Sequence, residues 1–322
     1  MMRPEDGATP PRVLTLTMDP SLDLQTAAEQ VVPNRKLACS EAQRVPGGGG
    51  VNVARALRRL GVDALALFPA GGPTGVRLTQ LLEAEGVNTA TLPIEGETRE
   101  TVLVTERSSG NLLRFIPEGP ALAETEWRTL LDAVDALRPT PEIIVASGTL
   151  PRGVPDDFFG RLSSIAEKLG SRLIVDTSGM ALRHAVGPGT FLLKPNLAEF
   201  REFAGAQAFS DFFLEGVVRA LVDAGKAKAV VLSMGAGGAL AVSDSGARRF
   251  RAPVVKVESR LGAGDSMVAG IVSGLLRGLP FDQSVLYGIA AGSAAVMNPG
   301  TELCRLEDVE RLYAEMQQDR SG

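Results

Sequence analysis

Gly262-Ala263-Gly264-Asp265 is the stretch of this 322-residue chain whose residue types bear most directly on chemistry. Glycines ahead of a small-residue apolar helix, here predicted over 262–277, let backbone N–H groups turn outward together. The helix start adds partial positive charge. Such a turn suits an anion, in particular a phosphoryl group in flight. A carboxylate beside it repels anions, so Asp265 has a use as a base that takes a proton from a hydroxyl attacking phosphorus. Asp is also a favoured helix cap. The tetrapeptide alone leaves both readings open.

Three other stretches carry polar groups at useful spacing. Lys194-Pro195-Asn196-Leu197-Ala198-Glu199 ends a strand and opens a helix, with Asn196 and Glu199 three apart on one face. An amide and a carboxylate so placed could order water around a metal–phosphate, since hard oxygen ligands suit Mg²⁺; they could equally be a capping pair. Pro46-Gly47-Gly48-Gly49-Gly50-Val51-Asn52 spends chain entropy on four glycines, which allow close approach of backbone to a ligand, with Asn52 in the first turn beyond. Asp19-Pro20-Ser21-Leu22-Asp23 follows a first buried strand at 13–18, and carboxylates at a strand's carboxyl end fit a ligand cleft as well as a simple turn. His184, the only histidine, lies in a polar helical context, which makes a Ser-His-Asp triad or a histidine-rich metal site improbable.

The elements that must position these groups follow a βα rhythm. Strands are predicted at 143–147, 172–176, 191–194 and 229–233, with helices at 155–169, 179–186, 262–277 and 282–297, and 239–243 as a hairpin partner of 229–233. The helix over 51–60 turns Val51, Val53, Ala54, Ala56, Leu57 and Leu60 inward and leaves Arg55, Arg58 and Arg59 as a solvated face. Short strands at 36–45, 89–93, 100–106 and 111–116 interrupt the rhythm and read as a small β-lid, formed by about 35–46 and 88–117. Such a flap would be unstable alone and is expected to pair with a second subunit. Residues 1–11 read as a loose tail.

Composition excludes several classes. A net charge of −5 disfavours indiscriminate nucleic-acid binding, and no apolar run approaches membrane-spanning length. Cys39 and Cys304 form neither a metal spacing nor a disulfide framework, so a cytoplasmic protein is expected. Neither a Walker A sequence nor Gly-x-Gly-x-x-Gly after the first strand is present, which disfavours P-loop and hydride-transfer chemistry.

Taken in order, the glycine loop with Asn52, the Lys194–Glu199 motif, Ser233-Met234-Gly235-Ala236-Gly237-Gly238 and Gly262–Asp265 resemble the ribokinase-like carbohydrate kinases of the PfkB family, over essentially 12–317. Phe68-Pro69-Ala70-Gly71-Gly72 and Gly225-Lys226-Ala227-Lys228 extend the similarity toward the branch that phosphorylates fructose 6-phosphate at C1. Relatives acting on fructose 1-phosphate or tagatose 6-phosphate tend to carry Lys where this chain has Gly49. A non-catalytic sugar-phosphate sensor of the same fold is the reading from a different class.

The resemblance implies a three-layer α/β/α domain with a mostly parallel sheet, single over 12–317, and a β-lid that mediates homodimerisation. It implies Asp265 as base and the amides of Gly262, Ala263 and Gly264 as the phosphoryl-binding hole. Asp23, Gly48, Gly49, Gly50 and Asn52 would bind sugar hydroxyls; Lys36, Arg99 and Thr149 would surround the sugar phosphate. Lys194, Asn196, Ser233, Gly235, Gly238, Ile289 and Ser293 would line the site for MgATP, with Asn196 and Glu199 organising Mg²⁺ through water. Ser259, Leu261, Ala295, Asn298 and Gly300 match the family's K⁺ loop. Two positions depart from the pattern: Ala38 replaces a second basic residue after the lid lysine, with Arg35 on its other side, and Arg260 replaces a small hydroxyl residue.

Overall fold

A computed structural model of the protein describes residues 11–205 and 211–318. Its central strand, β1 (Val13–Leu16), is buried at every position, so its alternating side chains must serve two apolar layers. Val13 enters one core, Leu14 and Leu16 the other. The neighbouring β8 (Ile143–Ser147) repeats the division, with Ile143 and Val145 on the first side and Ile144 and Ala146 on the second.

Around this pair runs a nine-stranded sheet. On one side of β1 lie β4 (Ala64–Ala70) and β5 (Asn88–Pro93). Beyond β8 lie β9 (Arg172–Asp176), β10 (Thr190–Leu193), β11 (Ala229–Ser233), β12 (Ala239–Ser243) and β13 (Gly246–Phe250). All pairings from β5 through β11 are parallel; β12 and β13 are antiparallel additions. The first core is roofed by α1 (Gly49–Arg59), α2 (Gly72–Ala84), α8 (Ala263–Leu276), α9 (Phe281–Val296) and α10 (Leu306–Gln318). The second is covered by α3 (Glu124–Ala136), α4 (Phe158–Leu169), α5 (Gly179–His184), α6 (Leu197–Ala204) and α7 (Asp211–Asp223). The result is the expected three-layer α/β/α architecture. α8 and α9 meet along a seam of small residues: a Cβ added at Gly270 would fall 2.7 Å from the Cα of Gly288, which locks the start of α8 to the domain.

A second sheet of four strands has the order β3-β2-β6-β7, formed by β2 (Ser21–Ala28), β3 (Gln43–Gly47), β6 (Arg99–Glu106) and β7 (Leu112–Phe115). Its membership corrects the sequence reading. The expected lid strand at 89–93 is β5, which continues the main sheet because it follows α2 as an ordinary βαβ return and buries Val87 and Ala90. Its place is taken by β2, which leaves the end of β1 through Pro20 and pairs parallel with β6 along eight positions. The strand expected at 36–45 begins only at Gln43; Asn34 in a left-handed conformation turns the preceding chain, and Cys39 makes a single bridge to Ala28. Helices α2, α3, α7 and α10 and strands β4 and β13 were not assigned from the sequence. The tail reading concerns residues that, apart from residue 11, lie outside the described residues.

Candidate active site

Parallel strands deliver their next residues to one edge of the sheet, and the polar groups collect there. Asp19 follows β1, Asp176 ends β9, Lys194 follows β10, and Ser233 ends β11. α8 starts above the same edge. Its cap residue, Gly262, has φ +70°, and a Cβ there would lie 2.5 Å from Leu303 Cδ2, so only glycine fits both the turn and the packing. The first intrahelical bond runs from Ser266 N to Gly262 O at 2.8 Å. The preceding amides of Ala263, Gly264 and Asp265 therefore stand at the positive end of a 14-residue helix, with no acceptor among the described residues.

Asp265 does not cap this helix. Its carboxylate accepts from Asn52 Nδ2 at 3.0 Å, in the first turn of α1. Burial pushes it up to about 7, and the nearby Asp176 charge adds to the shift, while Asn52, Lys194 and Arg55 oppose it. Such a group can accept a proton near neutrality. Lys194 is buried and pairs with Asp176 at 3.1 Å; a Cβ at Gly264 would lie 3.6 Å from Lys194 Nζ, which places that ammonium beside the open amides. Asp176 is itself held above the usual carboxylate range by burial, against the pull of Lys194.

The capping reading of Asn196 and Glu199 is realised. Asn196 Oδ1 accepts from the amides of Ala198 and Glu199, and Glu199 Oε2 accepts from Asn196 N at 2.8 Å, a complete capping box on α6. Both residues also line a cleft of ≈ 830 Å³ along with Lys194, Asp176 and Gly264. Burial raises the Glu199 carboxyl, which keeps one oxygen outside the capping bond. These hard oxygen donors fit Mg²⁺ held through water. Among the described residues no cluster of three or more acidic, His or Cys side chains that could hold a metal ion occurs. Ser233, Gly235, Gly238, Ile289 and Ser293 line the same cleft. Gly238 has a further reason to be glycine: at φ +87°, a Cβ would fall 1.9 Å from Phe250 O.

The glycine loop corrects its reading. A Cβ at Gly49 would meet Ser147 Oγ at 2.3 Å, and one at Gly50 would meet Leu16 O at 2.5 Å. Gly48, at φ +112°, packs on Thr17. These glycines let α1 start against the ends of β1 and β8, so the close approach is to the protein itself. Thr17 Oγ1 accepts from Val51 N at 2.7 Å, which fixes the helix start and hence Asn52. Arg55, expected in solvent, is buried: Nε and Nη2 grip Glu85 at 2.7 and 2.8 Å, and Nη1 donates to Pro46 O and Asn52 Oδ1. Arg59 donates to Leu303 O, so Arg58 alone of the three is exposed.

On the lid side, Asp23 accepts from Ser21 Oγ at 2.7 Å, and burial raises it against the pull of Arg114, Arg99 and Arg55. Arg99 and Thr149 come together on Asp19: Arg99 Nε lies 3.1 Å from Oδ1, and Thr149 Oγ1 donates to Oδ2 at 3.3 Å. Lys36 is exposed in the chain between β2 and β3 and makes no hydrogen bond or ion pair with these groups among the described residues. The residues matched to a K⁺ loop cluster: Ser259 Oγ donates to Gly300 O and accepts from Leu261 N, and Asn298 N donates to Ala295 O at the carboxyl end of α9. Carbonyl oxygens at a helix C-terminus suit a cation. Arg114 and Asp176 were missed, Asp19 was noted as a strand-end carboxylate but given no role, and Arg55 was placed in solvent. Asp176 had the signal of a carboxylate at a strand end; Arg55 had none, because helical spacing alone put it outside.

The pfkB family carbohydrate kinase pattern matches residues 16–308. This chain belongs to the pfkB family of carbohydrate kinases. It is 41% identical over 303 residues to ATP-dependent 6-phosphofructokinase isozyme 2 of Mycobacterium tuberculosis (strain CDC 1551 / Oshkosh), covering 94% of this chain and 89% of that protein. The isozyme of the same description from Escherichia coli (strain K12) is 41% identical over 304 residues, covering 94% and 98%. The crystal structure of phosphofructokinase-2 from Escherichia coli in complex with potassium superposes with a TM-score of 0.90 at 40% identity, covering 95% of this chain and 99% of that one. In this sugar kinase the ribokinase-like α/β/α layers carry the cleft, and the second, four-stranded sheet holds Asp23 in β2 and leads through β3 into the glycine loop.

Proposed function

We propose that the protein transfers the γ-phosphoryl group of ATP to the C1 hydroxyl of fructose 6-phosphate, giving fructose 1,6-bisphosphate and ADP. The observation that carries the reading is Asp265, a buried carboxylate raised to about 7, one residue beyond open amides at the head of α8. The C1 hydroxyl would pass its proton to Asp265 as its oxygen bonds to phosphorus, and the bond to the ADP oxygen would break. The amides of Ala263 and Gly264, behind the turn of Gly262, would receive the charge on the transferring group. Lys194 would neutralise phosphate oxygens. Asn52 orients the base, and Asp23 stands ready to accept from sugar hydroxyls. Magnesium bound with the nucleotide, through water on Asn196 and Glu199, would neutralise phosphate charge. Potassium would bind in the loop of Ser259, Leu261, Ala295, Asn298 and Gly300 and steady the turn before α8.

The names of the two relatives at 41% identity favour fructose 6-phosphate, and Gly49 supports them. A lysine at this position would need the end of β8 to move, since even its Cβ would meet Ser147. Phe115 and Ile116, apolar and more than half exposed at the free end of β7, favour a homodimer through the lid. The lid would also exclude water that could replace the sugar as acceptor.

The test is ADP release from MgATP with fructose 6-phosphate, tagatose 6-phosphate, fructose 1-phosphate and unphosphorylated fructose. Fructose 6-phosphate should give the highest kcat/KM. A different winner moves the specificity within the kinase; ligand binding without turnover of any of them would make the protein a sensor.

A further inference from the structure

The residues assigned above to the sugar phosphate already hold an anion. Arg99, from the start of β6, directs Nε at Asp19 Oδ1, Nη2 at Asp19 O and Nη1 at Pro117 O. Thr149, after β8, gives its hydroxyl to the other oxygen of the same carboxylate. Both side chains of the ion pair are nearly out of solvent, at 13% and 10% exposure. The placement is built: a Cβ at Gly119 would fall 2.2 Å from Asp19 Oδ1, so that segment must carry glycine for the carboxylate to lie there.

The fit is nonetheless poor. Asp19 Oδ1 and Arg99 Nε are buried without a well-directed hydrogen bond, although 3.1 Å apart, and the other two Arg99 contacts and the Thr149 contact are each 3.3 Å. A buried charge pair with unsatisfied atoms contributes little and is easily exchanged for a better anion. A phosphate offers three outward oxygens and two-pronged geometry to a guanidinium.

We propose that Asp19 sets the anion affinity of the sugar-phosphate site: it is the protein's own anion in the Arg99–Thr149 receptor, and a phosphorylated sugar binds by displacing it. The inference rests on the substrate reading above. Competition of this kind raises the concentration of every anion needed to fill the receptor, and only a ligand that also engages Asp23 and the glycine-loop side recovers the difference. Asp19 therefore keeps the receptor from filling with free anions at low concentration, at an equal cost in affinity for the sugar phosphate.

Asp19→Asn keeps the shape and removes the competing charge. At saturating MgATP, KM for fructose 6-phosphate and the competitive inhibition constant of sulfate should both fall at least about fivefold, because like charges facing each other in a site are strongly unfavourable. The kcat and the KM for ATP should stay within about twofold, because Asp19 pairs with Arg99 and Thr149 and does not line the nucleotide cleft. Unphosphorylated fructose should show no gain. In an Arg99→Gln background the same change should give no gain either, since the competition needs the receptor. An unchanged or raised KM for fructose 6-phosphate would overturn the proposal and make Asp19 a brace for Arg99. Asp19→Ser provides the same reading if Asp19→Asn folds poorly. Calorimetric sulfate binding to both proteins reads the effect of Asp19 even where no ketose phosphate turns over, so failure of the substrate reading and failure of this inference are separate outcomes.

Discussion

Asn52 Nδ2 donates to Asp265 Oδ2 at 3.0 Å, while the same amide's oxygen receives Arg55 Nη1 at 3.3 Å. The amide is thus held from behind by a buried cation, and its orientation follows: it can only donate to the carboxylate. That hydrogen bond, with Lys194 and Arg55 nearby, pulls the Asp265 pKa down, and burial with Asp176 pushes it further up. The balance leaves a base that titrates near neutrality rather than near 4.

Asp265→Asn should therefore lower kcat by at least about a hundredfold with both substrates still binding, the usual loss for a general base. In the parent protein, kcat/KM should rise with pH and level off above about 7, because only the ionised carboxylate accepts a proton. Stability should move the opposite way. A carboxyl whose folded pKa is raised binds more protons when native than when unfolded, so stability falls as pH rises from about 4 to about 7. Replacement by Asn removes that cost. A thermal midpoint about 2 °C or more higher than the parent's at pH 8, with no gain near pH 4, is the expected result. Equal midpoints at pH 8 would contradict the burial account.

Arg55 links this geometry to the scaffold through Glu85, which is one-third exposed while the guanidinium is 3% exposed. Glu85→Gln leaves the buried charge without its counterion. Because Glu85 is partly in solvent, the cost should be about 2 kcal/mol rather than the larger figure for fully buried pairs. Calorimetry should show a midpoint lower by roughly 5 °C, together with a reduced kcat from the loosened Asn52. Glu85→Asp, which keeps the charge, should recover part of both.

Gly262→Ala tests the turn that opens the amides. The added methyl meets Leu303 Cδ2 and forces φ +70° on a residue with a side chain. A displaced oxyanion donor costs ~3 kcal/mol of transition-state stabilisation, so kcat should fall by about 10²-fold. Gly262→Ala with Leu303→Ala relieves only the clash. Recovery of a small part of the rate, not all of it, would separate packing from backbone strain.

Much of this site could be read from residue types and order. Gly262–Asp265 at a helix start and Lys194-Pro195 at a strand end appear where they were expected, because a strand followed by a helix leaves its connecting residues at the carboxyl edge whatever the strand order. Lid membership was not legible. β2 and β5 are both half-apolar; which one joins the main sheet depends on α2 bridging β4 to β5, a contact between distant segments. Arg55 failed for a similar reason. It occupies a helical position that faces solvent on an isolated α1, but Glu85 and Pro46 close over it in the fold. The glycine loop was read in the right place with an incomplete cause, since the crowding that demands glycine comes from β1 and β8.

The lid edge provides a test of assembly. Phe115 and Ile116 are 53% and 52% exposed at the end of β7, next to the Arg114 that pulls down Asp23. Ile116→Asp should convert a dimer into a monomer in light scattering at micromolar concentration, since a charge buried in an apolar interface without a partner is costly. A sound monomeric fold with raised KM for the sugar and unchanged KM for ATP would tie assembly to the lid side of the site. An unchanged mass would remove β7 from the interface.

Glu199 offers a way to separate a cap from a metal-ordering role. Gln in its place can still accept from Asn196 N, so the capping box survives and stability should change by no more than about 0.5 kcal/mol. The charge facing the cleft is lost. If Glu199 orders the water shell of Mg²⁺, the concentration of free magnesium for half-maximal rate should rise by about tenfold, the lower end of the loss seen when outer-shell partners are removed. Glu199→Ala should add a loss of about 1 kcal/mol from the broken box to the same magnesium effect. Identical magnesium dependence in the parent, Gln and Ala proteins would leave Glu199 as a cap alone, and the carboxylate of Asp176, which pairs with Lys194 in the same cleft, would then be the charge to change next.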